Sequence, residues 1–219
     1  MNEIQLCHTA IVFLNQKGLV KTFYLFLVKA TKAMFITLPF CIIKMESSMG
    51  LIHIYFGDGK GKTTATMGLC ARMAGCGKKV LLSQFLKCGN SGEVKLLKAS
   101  EFVDLLVCEK KRGFFFTMSD NEKEETTKEI KELFLEVTKK AVSYDLLVLD
   151  ELLDVINLGI LTDDEVVSFL KNKPENLEVV LTGRNPSEEL LKICDYATEM
   201  KKIKHPFDKG LNARYGIEY

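Results

Sequence analysis

The stretch LIHIYFGDGKGKTTA at residues 51–65 decides the fold. Leu51 to Phe56 is a short apolar run of strand length, and a glycine-rich turn follows it. From Lys62 to Ala74 the residues keep a helical pattern until Gly75 and Gly77 stop it. A chain that enters as a strand, turns on glycines and leaves as a helix makes a cradle for phosphate. The glycines let successive N–H groups converge on one anion, and the helix N-terminus adds its positive end. The phosphate-binding set is Gly57, Asp58, Gly59, Lys60, Gly61, Lys62, Thr63 and Thr64, in which Lys62 would neutralise phosphate charge and the Thr63 hydroxyl would ligate Mg²⁺. A glycine-rich hairpin or a plain helix cap would explain the glycines, but not Gly-Lys-Thr-Thr between a strand and a helix. The general form of such a loop, G-x-x-x-x-G-K-[ST], needs glycine at position 56, where Phe56 stands. The loop is therefore a shortened variant, which supports phosphate binding without the usual geometry for γ-phosphate hydrolysis.

The same alternation continues downstream. Strands are predicted over Val80–Phe85, Val103–Cys108, Leu146–Leu149 and Leu177–Leu181, with a short helix over Glu93–Ala99. Ser119 with Glu122, and Thr162 with Glu165, are capping boxes that start two further helices. The buried face of the first is marked by Ile130, Leu133, Phe134, Val137 and Ala141 at helical spacing. Asn185-Pro186 predicts an N-cap with proline at the first helical position. Near-continuous apolar strands alternating with helices predict an α/β fold of the P-loop NTPase type, RecA-like, with a mostly parallel sheet and helices on both faces.

Leu146-Leu147-Val148-Leu149 ends in Asp150-Glu151. Alone, two carboxylates after an apolar strand are more often a solvated strand end. Following a phosphate loop, they place Asp150 where it can bind Mg²⁺ directly or through water, and leave Glu151 to orient water, substrate or metal. A nucleoside triphosphate and Mg²⁺ site is the reading that joins the two segments. Gly113-Phe114-Phe115-Phe116 follows Lys110, Lys111 and Arg112, and three consecutive aromatics cannot all face a core. His53, on the first strand, reads as a packed histidine rather than a ligand.

The whole-chain balance narrows the partners. Apolar residues at 47% and charged residues at 27% over 219 positions exclude disorder and collagen and suit one compact domain with an extension. Thirty basic residues against 29 acidic ones leave +1, so no overall field draws in nucleic acid or an acidic membrane. Seven cysteines without C-x-x-C spacing read as reduced thiols in a cytoplasmic protein. Residues 1–48 stand apart, rich in Phe, Leu and Ile, yet Lys17, Lys21, Lys29, Lys32 and Lys44 interrupt every apolar run before the roughly 18 residues a span needs. The segment starts with Glu3 and lacks a convincing A-x-A site, against a secretory signal. Because Met45 and Met49 precede the first orderly strand, residues 1–48 read either as upstream sequence from a misplaced start or as a helical arm on a partner subunit. Residues 49–219 read as the P-loop domain.

From about Gly50 to Tyr219 the chain resembles the ATP:corrinoid adenosyltransferases of the P-loop type. The resemblance is carried by GLIHIYFGDGKGKTTA at 50–65, SQFLK at 83–87 with Gly92-Glu93, GFFF at 113–116, LLVLDEL at 146–152, LTGR at 181–184 and TEMKKIKHPFDKGLNARYGIEY at 198–219. The shortened loop is this family's own form. The resemblance implies transfer of the 5′-deoxyadenosyl group of ATP to the cobalt(I) of a reduced corrinoid, with release of triphosphate, in coenzyme B12 synthesis or salvage. Carried over by position, Gly57 to Thr64 would hold the triphosphate, with Lys62 meeting its charge. Thr63, Asp150 and Glu151 would hold Mg²⁺. Phe114 and Phe116 would press on the corrin and displace its lower axial ligand. The family often has Trp at the position of Phe116; Cys88 stands where glycine is expected, and Asn185 where some members have glycine. A reduced flavoprotein as electron donor and a homodimer are further implications, with no nucleic acid or membrane as partner. Two rival readings are a P-loop ATPase switch acting on a protein partner and a nucleic-acid-dependent motor. The switch would leave ADP and phosphate instead of triphosphate and an alkylated corrinoid.

Overall fold

The computed structural model describes the strands β1 (Cys7–Leu14) and β2 (Val20–Leu27), together with residues 49–218 other than 90, 109–112 and 114. The chain divides into two compact units, Met1–Lys44 and Met45–Tyr219. In the first, β1 and β2 pair antiparallel in a register running from Cys7 opposite Leu27 to Leu14 opposite Val20. A helical arm is thus corrected for these stretches, whose β-branched and aromatic residues, among them Ile11, Val12, Phe13, Thr22, Phe23 and Tyr24, favour extended chain.

The second unit follows the predicted alternation. Its elements are β3 (Ile52–Phe56), α1 (Lys62–Gly75), β4 (Val80–Gln84), α2 (Gly92–Leu97), β5 (Val103–Val107), α3 (Asp120–Lys140), β6 (Leu146–Asp150), α4 (Leu152–Asn157), α5 (Asp163–Asn172), β7 (Glu178–Gly183), α6 (Glu188–Ile193) and β8 (Tyr196–Glu199). The strands form one sheet in the order β5-β4-β6-β7-β3-β8, parallel at every pairing. β7 stands between the strand that feeds the glycine loop and the strand that ends in Asp150, the RecA-like arrangement of a P-loop NTPase-like fold.

Side-chain alternation along each strand divides the core into two layers. Leu147 and Leu149 of β6 join the cluster that holds Ile130, Leu133, Phe134 and Val137 of α3 and Val166 and Leu170 of α5. Leu146 and Val148 face the other way, onto Met67 and Cys70 of α1 and Val94 of α2. Each fully buried aliphatic side chain contributes roughly 1.5–3 kcal/mol, so both faces hold the strand tips in register. Both capping boxes form: Glu122 N donates to Ser119 Oγ (3.4 Å) and Ser119 N to Glu122 Oε2 (2.8 Å), and Thr162 and Glu165 do the same.

Two local expectations change. The cap of α6 is Ser187, whose Oγ accepts from Leu190 N (3.3 Å), while Asn185 turns with φ +45° ahead of Pro186. A residue before proline is kept out of the helical region, so the helix begins past it. α4, unpredicted, starts directly after β6 because Glu151 adopts φ +65° and reverses the chain without glycine or proline. His53 packs as expected: its Nε2 lies 2.5 Å from Glu178 Oε1 and its ring stacks on Tyr196 with centroids 4.4 Å apart.

Candidate nucleotide site at the strand tips

The carboxyl ends of β3, β4, β6 and β7 meet at one edge of the sheet, where ligands of open parallel sheets bind. Gly61 has φ +119° and caps α1, a conformation that excludes most side chains. A Cβ on Gly59 would lie 2.5 Å from the carbonyl oxygen of Met200, just past β8. That approach is used: Gly59 N donates to Met200 O (2.6 Å), Met200 N donates to Phe56 O (2.7 Å), and Lys202 N donates to Asp58 Oδ1 (2.9 Å). The hydrogen bond from Lys202 N holds the Asp58 carboxyl below its ordinary range. Further along the tail, Glu218 receives Lys60 Nζ (2.9 Å) and the Arg214 guanidinium (3.1 and 3.2 Å). The loop is thus braced from outside by chain that follows it by about 140–160 residues.

Inside the loop, Lys62 Nζ donates to Gly57 O (2.6 Å) and Gly59 O (2.9 Å), which holds the ammonium across the cradle. Burial, and then the nearby Arg184 charge, lower its pKa against the pull of Asp154 and Asp58. The first-turn N–H groups of α1 have no acceptor within the helix and add positive potential at the same place.

Asp150 is fully buried and serves as the hub. Its Oδ1 accepts from Thr63 Oγ1 (3.0 Å) and Thr182 Oγ1 (2.6 Å), and its Oδ2 accepts from Gln84 Nε2 (2.9 Å). Thr182 Oγ1 in turn accepts from Glu151 N (2.9 Å), which fixes the strained turn that aims Glu151 at the site. Lys87 completes the cluster, with Nζ 2.9 Å from Glu151 Oε1 and 3.5 Å from Asp150 Oδ2. Burial raises the pKa of Glu151 despite the opposing pull of Lys87. Burial would lower that of Lys87, but the charges of Asp150 and Glu151 outweigh it and the net direction is up.

The structure therefore brings Thr63 and Asp150 together and joins Glu151 to them through Lys87, while the Lys62 ammonium is held on the loop carbonyls beside them. The set fits Mg²⁺: a hydroxyl and two carboxylates are hard oxygen donors, the kind that hold this ion beside nucleotide phosphates. A cation, the Lys87 ammonium, already sits among those oxygens. Phe115 packs against the core and Phe116 stands 81% exposed, while Phe114 lies outside the described residues. Sequence reasoning assigned no role to Gln84, Lys87, Thr182, Asp154 or Arg184. Gln84 and Thr182 are polar residues at the ends of the apolar strands VLLSQ and EVVLTG, a faint local signal; Lys87 comes three residues after the first strand, Arg184 directly after the second, and Asp154 lies in α4.

Comparison with known proteins agrees with this arrangement. The family model for the ATP:corrinoid adenosyltransferases BtuR/CobO/CobP matches residues 48–219. The chain is 33% identical over 181 residues to the corrinoid adenosyltransferase of Escherichia coli K12, covering 81% of this chain and 90% of that protein. It is 32% identical over 181 residues to the corrinoid adenosyltransferase CobA of Salmonella typhimurium, with the same coverage. To the corrinoid adenosyltransferase of a Sinorhizobium species it is 36% identical over 182 residues, covering 78% of this chain and 80% of that protein. A phosphate loop of this shortened form, a strand that ends at Asp150 with Glu151 next to it, and a match across nearly all of the second unit leave one assignment: the chain belongs to the ATP:corrinoid adenosyltransferase family, transferases that use ATP to adenosylate corrinoids.

Proposed function

We propose that the protein transfers the 5′-deoxyadenosyl group of ATP to the cobalt(I) of a reduced corrinoid and releases triphosphate. The supporting observation is Lys62 held across a shortened phosphate loop, with Thr63 at its mouth bonded to Asp150 and Glu151 joined to that pair through Lys87. Cobalt(I) is itself the nucleophile. Its electron pair forms the cobalt–carbon bond while the bond from C5′ to oxygen breaks toward the triphosphate. No side-chain nucleophile is needed, and the buried Cys70 thiol, pushed up to about 12 by burial, is not one.

The chain's contribution is alignment and charge. Gly57, Asp58, Gly59, Lys60, Gly61 and Thr64 shape the cradle, while Lys62 meets the charge that grows on the departing triphosphate. Thr63, Asp150 and Glu151 would hold Mg²⁺, which when bound adds neutralising charge to the same group. Phe116, with Phe114, would press on the corrin face and displace its lower ligand, easing reduction of cobalt(II) by a reduced flavoprotein. A homodimer in the cytoplasm, serving coenzyme B12 synthesis or salvage, completes the proposal; no described helix is long and apolar enough to cross a membrane.

Incubation with ATP, Mg²⁺ and chemically reduced cobalamin tests the reaction. Triphosphate and an alkylated corrinoid are the expected products, and ADP with phosphate would overturn it. Residues 49–219 are taken as the working unit. A protein starting at Met45 or Met49 is expected to bind MgATP and retain transfer, measured by the same assay.

A further inference from the structure

Lys87 occupies the position that the site's chemistry assigns to another cation. Its ammonium lies 2.9 Å from Glu151 Oε1, 3.3 Å from Thr63 Oγ1 and 3.5 Å from Asp150 Oδ2, so it touches all three groups suited to Mg²⁺. The other side chains that bond to Asp150 are neutral: Thr63, Gln84 and Thr182. Lys62 is turned toward the carbonyls of Gly57 and Gly59. Among the described residues, Lys87 is thus the one cation in ion-pair contact with Asp150 and Glu151. Burying two carboxylates without a countercharge is costly, which gives the contact a reason to exist. The Lys87 side chain is nevertheless 40% exposed, and its four-carbon stem allows the ammonium to leave.

A lysine ammonium and a divalent cation cannot share the same three oxygens, since their like charges repel and both need the same lone pairs. We propose that Lys87 is a built-in counterion that holds the metal position closed until nucleotide arrives, and then moves from the carboxylates to the triphosphate. Metal alone must evict an ammonium that has only water to go to. Metal arriving with ATP brings phosphate charge that receives the displaced lysine in the same event. Lys87 therefore couples metal entry to nucleotide entry and keeps the carboxylates from capturing a cation unproductively. This inference rests on the Mg²⁺ assignment of Thr63, Asp150 and Glu151.

Mn²⁺ binding to the full chain, followed by electron paramagnetic resonance of the free ion with and without ATP and with no corrinoid present, tests it. Without nucleotide, the wild type and Lys87→Arg should bind Mn²⁺ weakly, and Lys87→Met at least tenfold more tightly. With ATP that advantage should vanish or reverse. Should Lys87→Met fail to fold, Lys87→Gln, which keeps an N–H donor toward Glu151, carries the same expectation. Nucleotide-free affinity in the neutral variant equal to wild type would overturn the counterion role. Thr63→Ala and Glu151→Gln separate the two ideas: if neither weakens Mn²⁺ binding in the presence of ATP, the metal assignment itself fails and the Lys87 role falls with it. If both weaken it while the neutral Lys87 variant behaves as wild type, only the Lys87 role fails.

Discussion

Around the tip of β6 a buried carboxylate is gripped from three sides, by Thr63, Gln84 and Thr182, whereas in the aromatic segment Phe116 stands 81% in solvent beside a Phe115 that packs into the core. The first region is held in shape by hydrogen bonds within the protein. The second offers an apolar surface that the fold itself does not cover. Substitutions should therefore cost stability and chemistry together in the first region, and separate the two in the second.

The sharpest test is Lys62→Ala. Loss of one positioned charge facing the leaving group should lower the transfer rate by roughly 10²–10³-fold, and a variant turning over near the wild-type rate would break the role given to the loop. Thr182→Val keeps the shape but removes the donor to Asp150 Oδ1 and the acceptor for Glu151 N. Chemical denaturation should register a loss of about 1.5–3 kcal/mol, as for hydrogen bonds to a charged group. An unchanged midpoint would mean the corner is less interlocked than it looks.

In the aromatic segment the paired variants Phe115→Ala and Phe116→Ala should diverge. The first is expected to destabilise by about 1–2 kcal/mol through lost burial. The second should leave the melting midpoint nearly unmoved while slowing the reaction that starts from cobalt(II) more than the one that starts from cobalt(I). Equal slowing in both assays would assign Phe116 to packing alone.

The smallest effect belongs to the tail. Hydrogen bonds from Arg214 and then Lys60 depress the Glu218 carboxyl to about 2, below its ordinary 4.5. A carboxyl depressed in the folded state contributes stability above its unfolded pKa and loses it as pH falls toward the folded one. Protection of the tail amides, taken as their exchange relative to the intrinsic rate at each pH, should therefore hold down to about pH 4.5 and fall toward pH 2, a change absent in Glu218→Gln.

What was legible in the sequence follows the same division. The glycine loop, the capping boxes at Ser119 and Thr162 and the Asp150-Glu151 strand end are local signals, each readable from neighbours a few positions apart. Lys87, Thr182 and Met200 acquire their roles only because parallel strands place distant tips side by side, and no spacing in the chain announces that. α4 went unread because a non-glycine residue, Glu151, takes the left-handed turn that launches it, and the hydrogen bond to Thr182 that holds this turn comes from another strand. At Asn185-Pro186 the composition pointed to a cap two residues early, since serine and asparagine compete for that position and the following proline decides between them.

The contact between Gly59 and the Met200 carbonyl has a consequence for how ATP is received. Five glycine-rich residues left free to sample conformations would lose on the order of 1–2 kcal/mol of entropy each on being ordered by a ligand. Here the chain just past β8 holds the loop at Asp58 and Gly59, so less of that loss falls on the binding event. Nucleotide affinity becomes partly a property of the carboxyl-terminal tail: chain ending before Met200 would lose the template, and the nucleotide would have to organise the loop it binds.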